Sequence, residues 1–418
     1  MIRLQRSFFI GRRTILTQQT PRQSKKLHWN RNTWILVLGI IFISSTLRSP
    51  LTSVGPIITY IKQGLDISNV LAGFITTIPL LAFALVSPFA PKLARRFGFE
   101  KTLLFAMIIL AIGIVVRSIG NIIFLLSGTA LIGIAIAFGN VLLPALIKLK
   151  FPLQVGLLTS IFTAAMNISA SIAAGVSYPI ASTIVGWKGA LGFWFILTII
   201  AFFAWLPQLR QQINVKEDHK HMRPSKPIWK YPLTWAITLS MGLQSLLFYT
   251  TAAWIPALLE SQGMSAHQTG WMFSIMQFSQ LPMTFLIPIL AARKSDQRSL
   301  VVMFSILYVI GFSGILLNLT SLTILWMIFI GLAGGASFGL AMMFFSLRAR
   351  NAFEAAEISG TAQSIGYLLA ATGPVLYGYI HDLFESWQSA NVLYIVVVIG
   401  LFFFAWISAK DRYVTSEK

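Results

Sequence analysis

WILVLGIIFISSTLRSPLTSVGPIITYI, residues 34–61, carries a single charge, Arg48, near its middle. The run exceeds the roughly 20 apolar residues that cross a bilayer core of about 30 Å. Insertion scales make an arginine at the centre of a membrane helix unfavourable by about 2.5–3.5 kcal/mol, so a charge at that depth reads as functional. Guanidinium keeps its proton in proteins, and its planar fork of donors suits small planar oxyanions. No aspartate or glutamate lies at comparable depth in any other apolar segment. The expected partner of Arg48 is therefore an anion that comes and goes.

Outside that stretch the chain stays apolar. Of its 418 residues 56% are hydrophobic and only 11% charged, with a mean hydropathy of +0.76. A soluble protein carries about a quarter charged residues. Twelve segments are predicted to span a bilayer as helices, near 34–61, 69–90, 102–119, 122–147, 155–182, 190–207, 234–258, 268–292, 300–318, 322–346, 358–382 and 391–409. The net charge of +20 would suggest nucleic acid in a soluble domain. Its distribution argues against that partner. Basic residues gather in the N-terminal tail and in alternate connections (Lys92 to Lys101, Lys148/Lys150, Arg210 to Lys230, Arg293 to Arg298, Arg348/Arg350), while the intervening loops hold only Lys62, Arg117 and Lys188. This positive-inside asymmetry predicts both termini in the cytoplasm. Residues 1–32 lack the apolar core of a signal peptide and read as a basic tail.

A shift of 200 residues superimposes punctuation. Pro56 meets Pro256, Pro88 meets Pro288, Phe138-Gly139 meets Phe338-Gly339, Lys148 and Lys150 meet Arg348 and Arg350, and Trp187 meets Trp387. An even number of crossings separates matched positions, so the repeat predicts two six-helix bundles of the same orientation. Parallel halves with a site between them near the midplane describe the major facilitator architecture. The expected organisation is a tail (1–32), a first bundle (33–207), a polar linker (208–232), a second bundle (233–409) and a short tail (410–418). Arg48 falls on Phe248, beside Tyr249. One half would supply a fixed charge, the other aromatic surface and neutral donors.

Polar residues within the apolar segments supply the candidate site. Ser44, Arg48, Thr52, Gly55 and Thr59 form one stripe at helical period, interrupted by Pro50 and Pro56. The fifth segment carries Thr163, Asn167, Ser171 and Tyr178; the eleventh carries Gln363 and Tyr367 at the repeat positions of Thr163 and Asn167. The seventh adds Gln244, Tyr249 and Trp254, and the fourth Asn140. Arg48 is expected to hold solute, with Gln244, Tyr249, Trp254, Asn140, Asn167, Gln363 and Tyr367 supplying shape, hydrogen bonds and stacking. Bonds between helices compete for each of the neutral residues. Gly331, Gly335 and Gly339, spaced by four, predict close helix packing or a sliding surface. Arg117, near the outer end of the third segment, is read as snorkelling to the interface. No Walker loop, HExxH motif or Cys/His cluster points to ATP hydrolysis, a metal or a cofactor, and cysteine is absent altogether.

Five stretches resemble the cyanate permease and 2-nitroimidazole transporter family of the major facilitator superfamily. They are LRSPLTSVGP (47–56), GFITTIPLLAFALVSPFAPKLARRFG (73–98), GNVLLPALIK (139–148), GLQSLLFYTTAAWIP (242–256) and SGTAQSIGYLLAATGPVLYGYIHD (359–382). Arg95-Arg96 stands where an Asp-Arg pair is usual in the superfamily's gating motif, with Gly98 retained. The resemblance implies a twelve-helix secondary transporter of the bacterial cytoplasmic membrane, moving cyanate-like anions or nitroimidazole-like compounds. Arg95, Arg96 and Gly98 would then belong to the gate, and Gly335 and Gly339 to gating or packing. Protons are a candidate coupling ion, arriving on the solute or through His381, and the chain is expected to work as a monomer. Two other functions compete: an exporter of neutral aromatic compounds with Arg48 structural, and a membrane-embedded ligand sensor.

Overall fold

The computed structural model describes residues 30–67, 69–211 and 226–416. Most of the basic tail expected at 1–32, and the charged centre of the linker expected at 208–232, lie outside the described residues.

Among the described residues, twelve principal helices carry the chain. They are α1 (Arg31–Thr46), α2 (Asn69–Val86), α3 (Phe99–Arg117), α4 (Ile122–Lys150), α5 (Val155–Ala181), α6 (Trp194–Trp205), α7 (Pro232–Ser261), α8 (Ala266–Arg293), α9 (Arg298–Leu316), α10 (Thr323–Leu347), α11 (Ala352–Phe384) and α12 (Trp387–Ser408). Several begin at residues that satisfy otherwise orphaned N–H groups. Asn30, Asn121 and Asn351 accept from Thr33, Ile123 and Glu354 at 2.8–2.9 Å, and Ser265 forms a reciprocal box with Gln268. Among the described residues, eleven helical segments are long and apolar enough to cross a membrane. The 33-residue α11 is not one of them. Its Gln363, Ser364, Tyr367 and Thr372, with four glycines, dilute its apolar content.

The two halves repeat the same packing. In the first, α1 lies against α5 and α6, and α4 against α2 and α3; in the second, α7 lies against α11 and α12, and α10 against α8 and α9. The glycines of α10 make one of these contacts close. A Cβ on Gly331 or Gly335 would stand 2.2 Å from the carbonyl oxygen of Met276 or Gln280, and Gly339 faces Pro288. That stripe joins α10 to α8 inside one half, so it packs the bundle and does not form the seam between halves.

The halves differ at their first helices. α7 runs unbroken for 30 residues and keeps Pro256 inside it. The first segment, read from sequence as one stripe, is instead four pieces: α1, a four-residue helix Ser49–Thr52, a 3-10 turn Gly55–Ile57, and the helix Ile58–Leu65. Pro50 has no N–H for the carbonyl four residues back. Its repeat partner is Thr250, which keeps the ladder intact.

Contacts between halves gather on one face, the one bearing Lys92 to Lys101, Lys148/Lys150 and Arg348/Arg350. There Lys148 Nζ donates to Ser346 O (2.6 Å), Ser346 Oγ to Pro144 O (3.3 Å) and Ser364 Oγ to Ala84 O (2.5 Å). Phe99 and Phe353 pack at 5.3 Å between ring centres. Toward the opposite ends of the helices, a Cβ on Gly55, Gly175 or Gly270 would meet open space. The basic face also receives the C-terminal tail. Buried Arg348 donates to the carbonyls of Ser408 (2.8 Å) and Ala409 (2.9 Å) and to Gln297, and Val414 N–H donates back to Arg348 O (2.9 Å). Burial pushes the Arg348 guanidinium down to about 10, opposed by Asp411 and Asp296, so it stays charged at neutral pH.

Candidate functional site

The break in the first segment sets the place of Arg48. α1 ends at Thr46, and Arg48 precedes the Ser49–Thr52 helix with φ −122° and ψ −35°, outside regular helical geometry. Its half-buried guanidinium donates from Nη1 to Asn167 Oδ1 at 3.0 Å. Its carbon stands 4.8 Å from the centre of the Phe338 ring and 5.5 Å from that of Phe248. Tyr249 and Tyr367 lie within electrostatic range of it. Among the described residues no carboxylate pairs with Arg48.

Asn167 is held at both ends. Arg48 can only donate, which fixes Oδ1 toward it. The amide Nδ2 then donates to Thr284 Oγ1 of α8 at 3.3 Å, and Thr284 Oγ1 donates to Gln280 O at 2.8 Å. Thr163, one turn earlier on α5, donates to Thr284 O at 3.1 Å. The guanidinium is thus linked to the second half through one neutral amide.

Phe248 is the residue 200 positions after Arg48. In a twofold-related pair of halves, two equivalent residues that touch must both lie beside the axis. Ser346 makes the same point on α10, bonding Lys148 and Pro144, which lie 198 and 202 positions away. Arg48 therefore stands where the two halves meet. Its edge has donors to spare, since Nη1 carries its one hydrogen bond among the described contacts. Two ring faces attract the cation without neutralising it.

Other expected residues divide. Buried Gln363 donates to Asn140 O (3.0 Å) and Ser359 Oγ (2.9 Å), joining α11 to α4. Asn140 Oδ1 and Gln363 Oε1 are buried with no hydrogen-bond donor, leaving one acceptor from each half at the seam. Tyr367 packs against Phe83 of the first half at 5.0 Å. Gln244 is buried and accepts from Ser245 Oγ at 3.3 Å. Trp254 packs elsewhere: its N–H goes to Pro374 O at 2.8 Å and its ring stacks on Tyr377 and touches Trp387. His381 lies at the far end of α11 against Trp387, bonded to Asp382 at 3.1 Å. An apolar groove of about 580 Å³ opens separately between α1, α5 and α6, beside Ile41, Ile168 and Leu197, and holds no charged side chain.

At the basic face Arg95 makes an ion pair across the seam with Glu357 of α11. Arg96 is exposed beside the Phe97 ring, and Gly98, at φ +88°, permits the turn from the helix Ala90–Phe97 into α3. Glu100 pairs with Lys150 at 2.9 Å. Sequence reasoning did not single out Glu357, Phe338 or Thr284. The repeat aligns Phe338 with Phe138, and that alignment is the signal the sequence carries for it.

Arg117 overturns its expectation. It does not snorkel; it is fully buried, and Nη1 donates to Pro50 O at 2.7 Å.

A sequence profile of the Major Facilitator Superfamily matches residues 34–374. A Bacillus subtilis (strain 168) protein named Uncharacterized transporter YycB is 46% identical, over 92% of this chain and 96% of its own length. The 2-nitroimidazole transporter of Escherichia coli (strain K12) is 36% identical over 91% and 97%, and the cyanate transport protein CynX of the same organism 23% identical over 88% and 95%. Among solved structures, the proton:xylose symporter XylE bound to 6-bromo-6-deoxy-D-glucose superimposes with a TM-score of 0.74 at 15% identity, over 92% of this chain and 98% of that one.

Proposed function

Because the chain belongs to the major facilitator superfamily, a family of multi-pass membrane transporters and not of enzymes, we propose that it carries a small planar solute, anionic or strongly electronegative, by alternating access. Cyanate-like anions and nitroimidazole-like compounds are the solute classes, in keeping with the names of two relatives. The supporting observation is the environment of Arg48. A permanent cation stands at the seam between halves, bound by a neutral amide and two ring faces, with no carboxylate paired to it among the described residues. A nitro group or cyanate offers acceptors in one plane for the free edge of the fork. Phe248, Phe338, Tyr249 and Tyr367 would enclose an aromatic solute or the flanks of a smaller one.

The basic face is read as cytoplasmic and the membrane as the bacterial cell membrane, with the chain acting as a monomer. Arg95 and Glu357 then form part of the inner gate, with charges opposite to those of the usual acidic position. Solute biases the two states only through its difference in affinity for them. Reconstituted vesicles test the proposal. Uptake of cyanate and of 2-nitroimidazole, each way and with or without a pH gradient, should vanish in Arg48→Ala and recover little in Arg48→Lys, while membrane insertion persists. Normal transport by Arg48→Ala would refute it. Export of neutral aromatics, uncompeted by small anions, would favour the alternative that the ring-lined site also permits.

A further inference from the structure

Arg117 ends α3 as a completely buried guanidinium, and no carboxylate pairs with it among the described residues. Its acceptors are two backbone carbonyls. Nη1 donates to Pro50 O at 2.7 Å, an oxygen that accepts no backbone N–H but also takes a longer bond from Ser53 Oγ at 3.1 Å; Nη2 reaches Leu191 O at 3.4 Å, and Nε has no acceptor.

Both carbonyls stand at helix interruptions. Pro50 lies in the four-residue helix after Arg48, and Leu191 lies in the last turn of the short helix Gly186–Gly192, just before α6 starts at Trp194. Carboxyl ends of helices leave carbonyls without intrahelical partners and carry the negative end of the dipole. A guanidinium with spread donors can serve two such groups at once, and an ammonium cannot do so with the same geometry. The site is closed around it. A Cβ on Gly128 of α4 would stand 2.4–2.7 Å from the backbone nitrogen, Cα and Cβ of Arg117.

The repeat supplies an internal control. The position 200 residues later is Leu317, and α7 has no break at the place matching Pro50. Break and arginine occur together in the first half and are both missing from the second.

We propose that Arg117 is a positioning residue for Arg48. It replaces hydrogen bonds that the interrupted first segment gives up, pins the Pro50 peptide, and so fixes the direction in which Arg48, two residues earlier, leaves the backbone toward Asn167. The substrate consequence rests on the proposed role of Arg48; the backbone consequence does not.

Arg117→Lys and Arg117→Met in the purified full-length chain test both. Amide hydrogen exchange should quicken in residues 47–57 and stay unchanged in α7 to α12. In proteoliposomes the KM for 2-nitroimidazole should rise roughly tenfold with Vmax nearly kept, as expected when a binding group is misdirected without loss of the moving parts. Unchanged exchange at 47–57 overturns the proposal. So does an unaltered KM in a background where Arg48→Ala is inactive. Should Arg48→Ala itself transport normally, the substrate role of Arg48 fails, and exchange alone decides whether Arg117 pins the break. If the methionine variant does not fold, the lysine variant, which keeps the charge and loses the fork, carries the test.

Discussion

The guanidinium of Arg48 lies 5.5 Å from the ring of Phe248, its own counterpart in the repeated half. Duplicated halves start with the same residue at both places. Here one position became a cation and the other the aromatic face it rests on, so the site on the axis is polarised across it.

That polarity depends on rings that attract a cation without discharging it. Cation–π contacts are worth about 0.5–2 kcal/mol, so Phe338→Leu should raise the KM for solute by roughly 2- to 30-fold. Phe248→Leu should do the same less strongly, its ring being farther from the charge. Initial uptake rates over a solute series measure both, and equal wild-type KM values would remove the rings from the site.

Asn167→Asp would place a carboxylate 3.0 Å from Arg48, where the amide oxygen now stands. The new acid supplies a permanent counter-ion and competes with any anionic solute. Uptake of cyanate should fall at least about tenfold, more than in Asn167→Ala, because a charge-assisted pair outlasts a missing contact. A neutral aromatic solute should discriminate little between the two variants. Equal activity of both on cyanate would argue against anion handling.

The Arg95–Glu357 pair is partly exposed, with side-chain exposures of 26% and 17%. Its coupling energy should be modest, roughly 0.5–1 kcal/mol. Glu357→Arg should shift the population away from the closed basic face, and adding Arg95→Glu should restore it. The chain has no cysteine, so spin labels at Lys101→Cys and Lys410→Cys report the opening without background. An unaltered distance distribution in Glu357→Arg would exclude the pair from the gate.

Acid should favour the closed basic face. Burial of Glu354, in the first turn of α11, raises its carboxyl above the ordinary range, against the opposing bond from the Arg350 N–H (2.9 Å). Lys148 from α4 and Arg350 are the charges facing it. A group whose pKa is raised in the closed state binds a proton more readily there than when opening solvates it. Lowering pH through the raised pKa therefore stabilises closure, and raising pH charges Glu354 and weakens it. The same label pair, followed across that range, should show the shift, and Glu354→Gln should abolish it.

Much of the scaffold was readable because its signals are local or periodic. Apolar length marks the helices, and the offset of 200 exposes the repeat and pairs Arg48 with Phe248 from the sequence alone. Asn167 was likewise visible as a polar residue on an apolar helix. What could not be read depends on where carbonyls end up. Pro50 announced a disturbance of the first segment but not its division into four pieces. Arg117 looked like an interfacial charge because its acceptors lie 67 and 74 residues away. Trp254 looked like a stacking platform because nothing local reveals that Pro374 uses its N–H. Glu357 sits among small residues with no pattern to single it out, and only folding brings Arg95 to it.

The hydrogen bonds and ring contacts that fasten the halves crowd toward the basic face. On the proposed mechanism this lopsidedness separates cargo from blockers. A molecule that lodges against the guanidinium without reaching the rings of the second half gains no affinity as the jaws rearrange, and it merely plugs the entrance. One that touches both walls tips the balance, and with the Phe338 and Phe248 ring centres 4.8 and 5.5 Å from the guanidinium carbon, reach across the axis together with charge would mark the boundary between inhibitor and passenger.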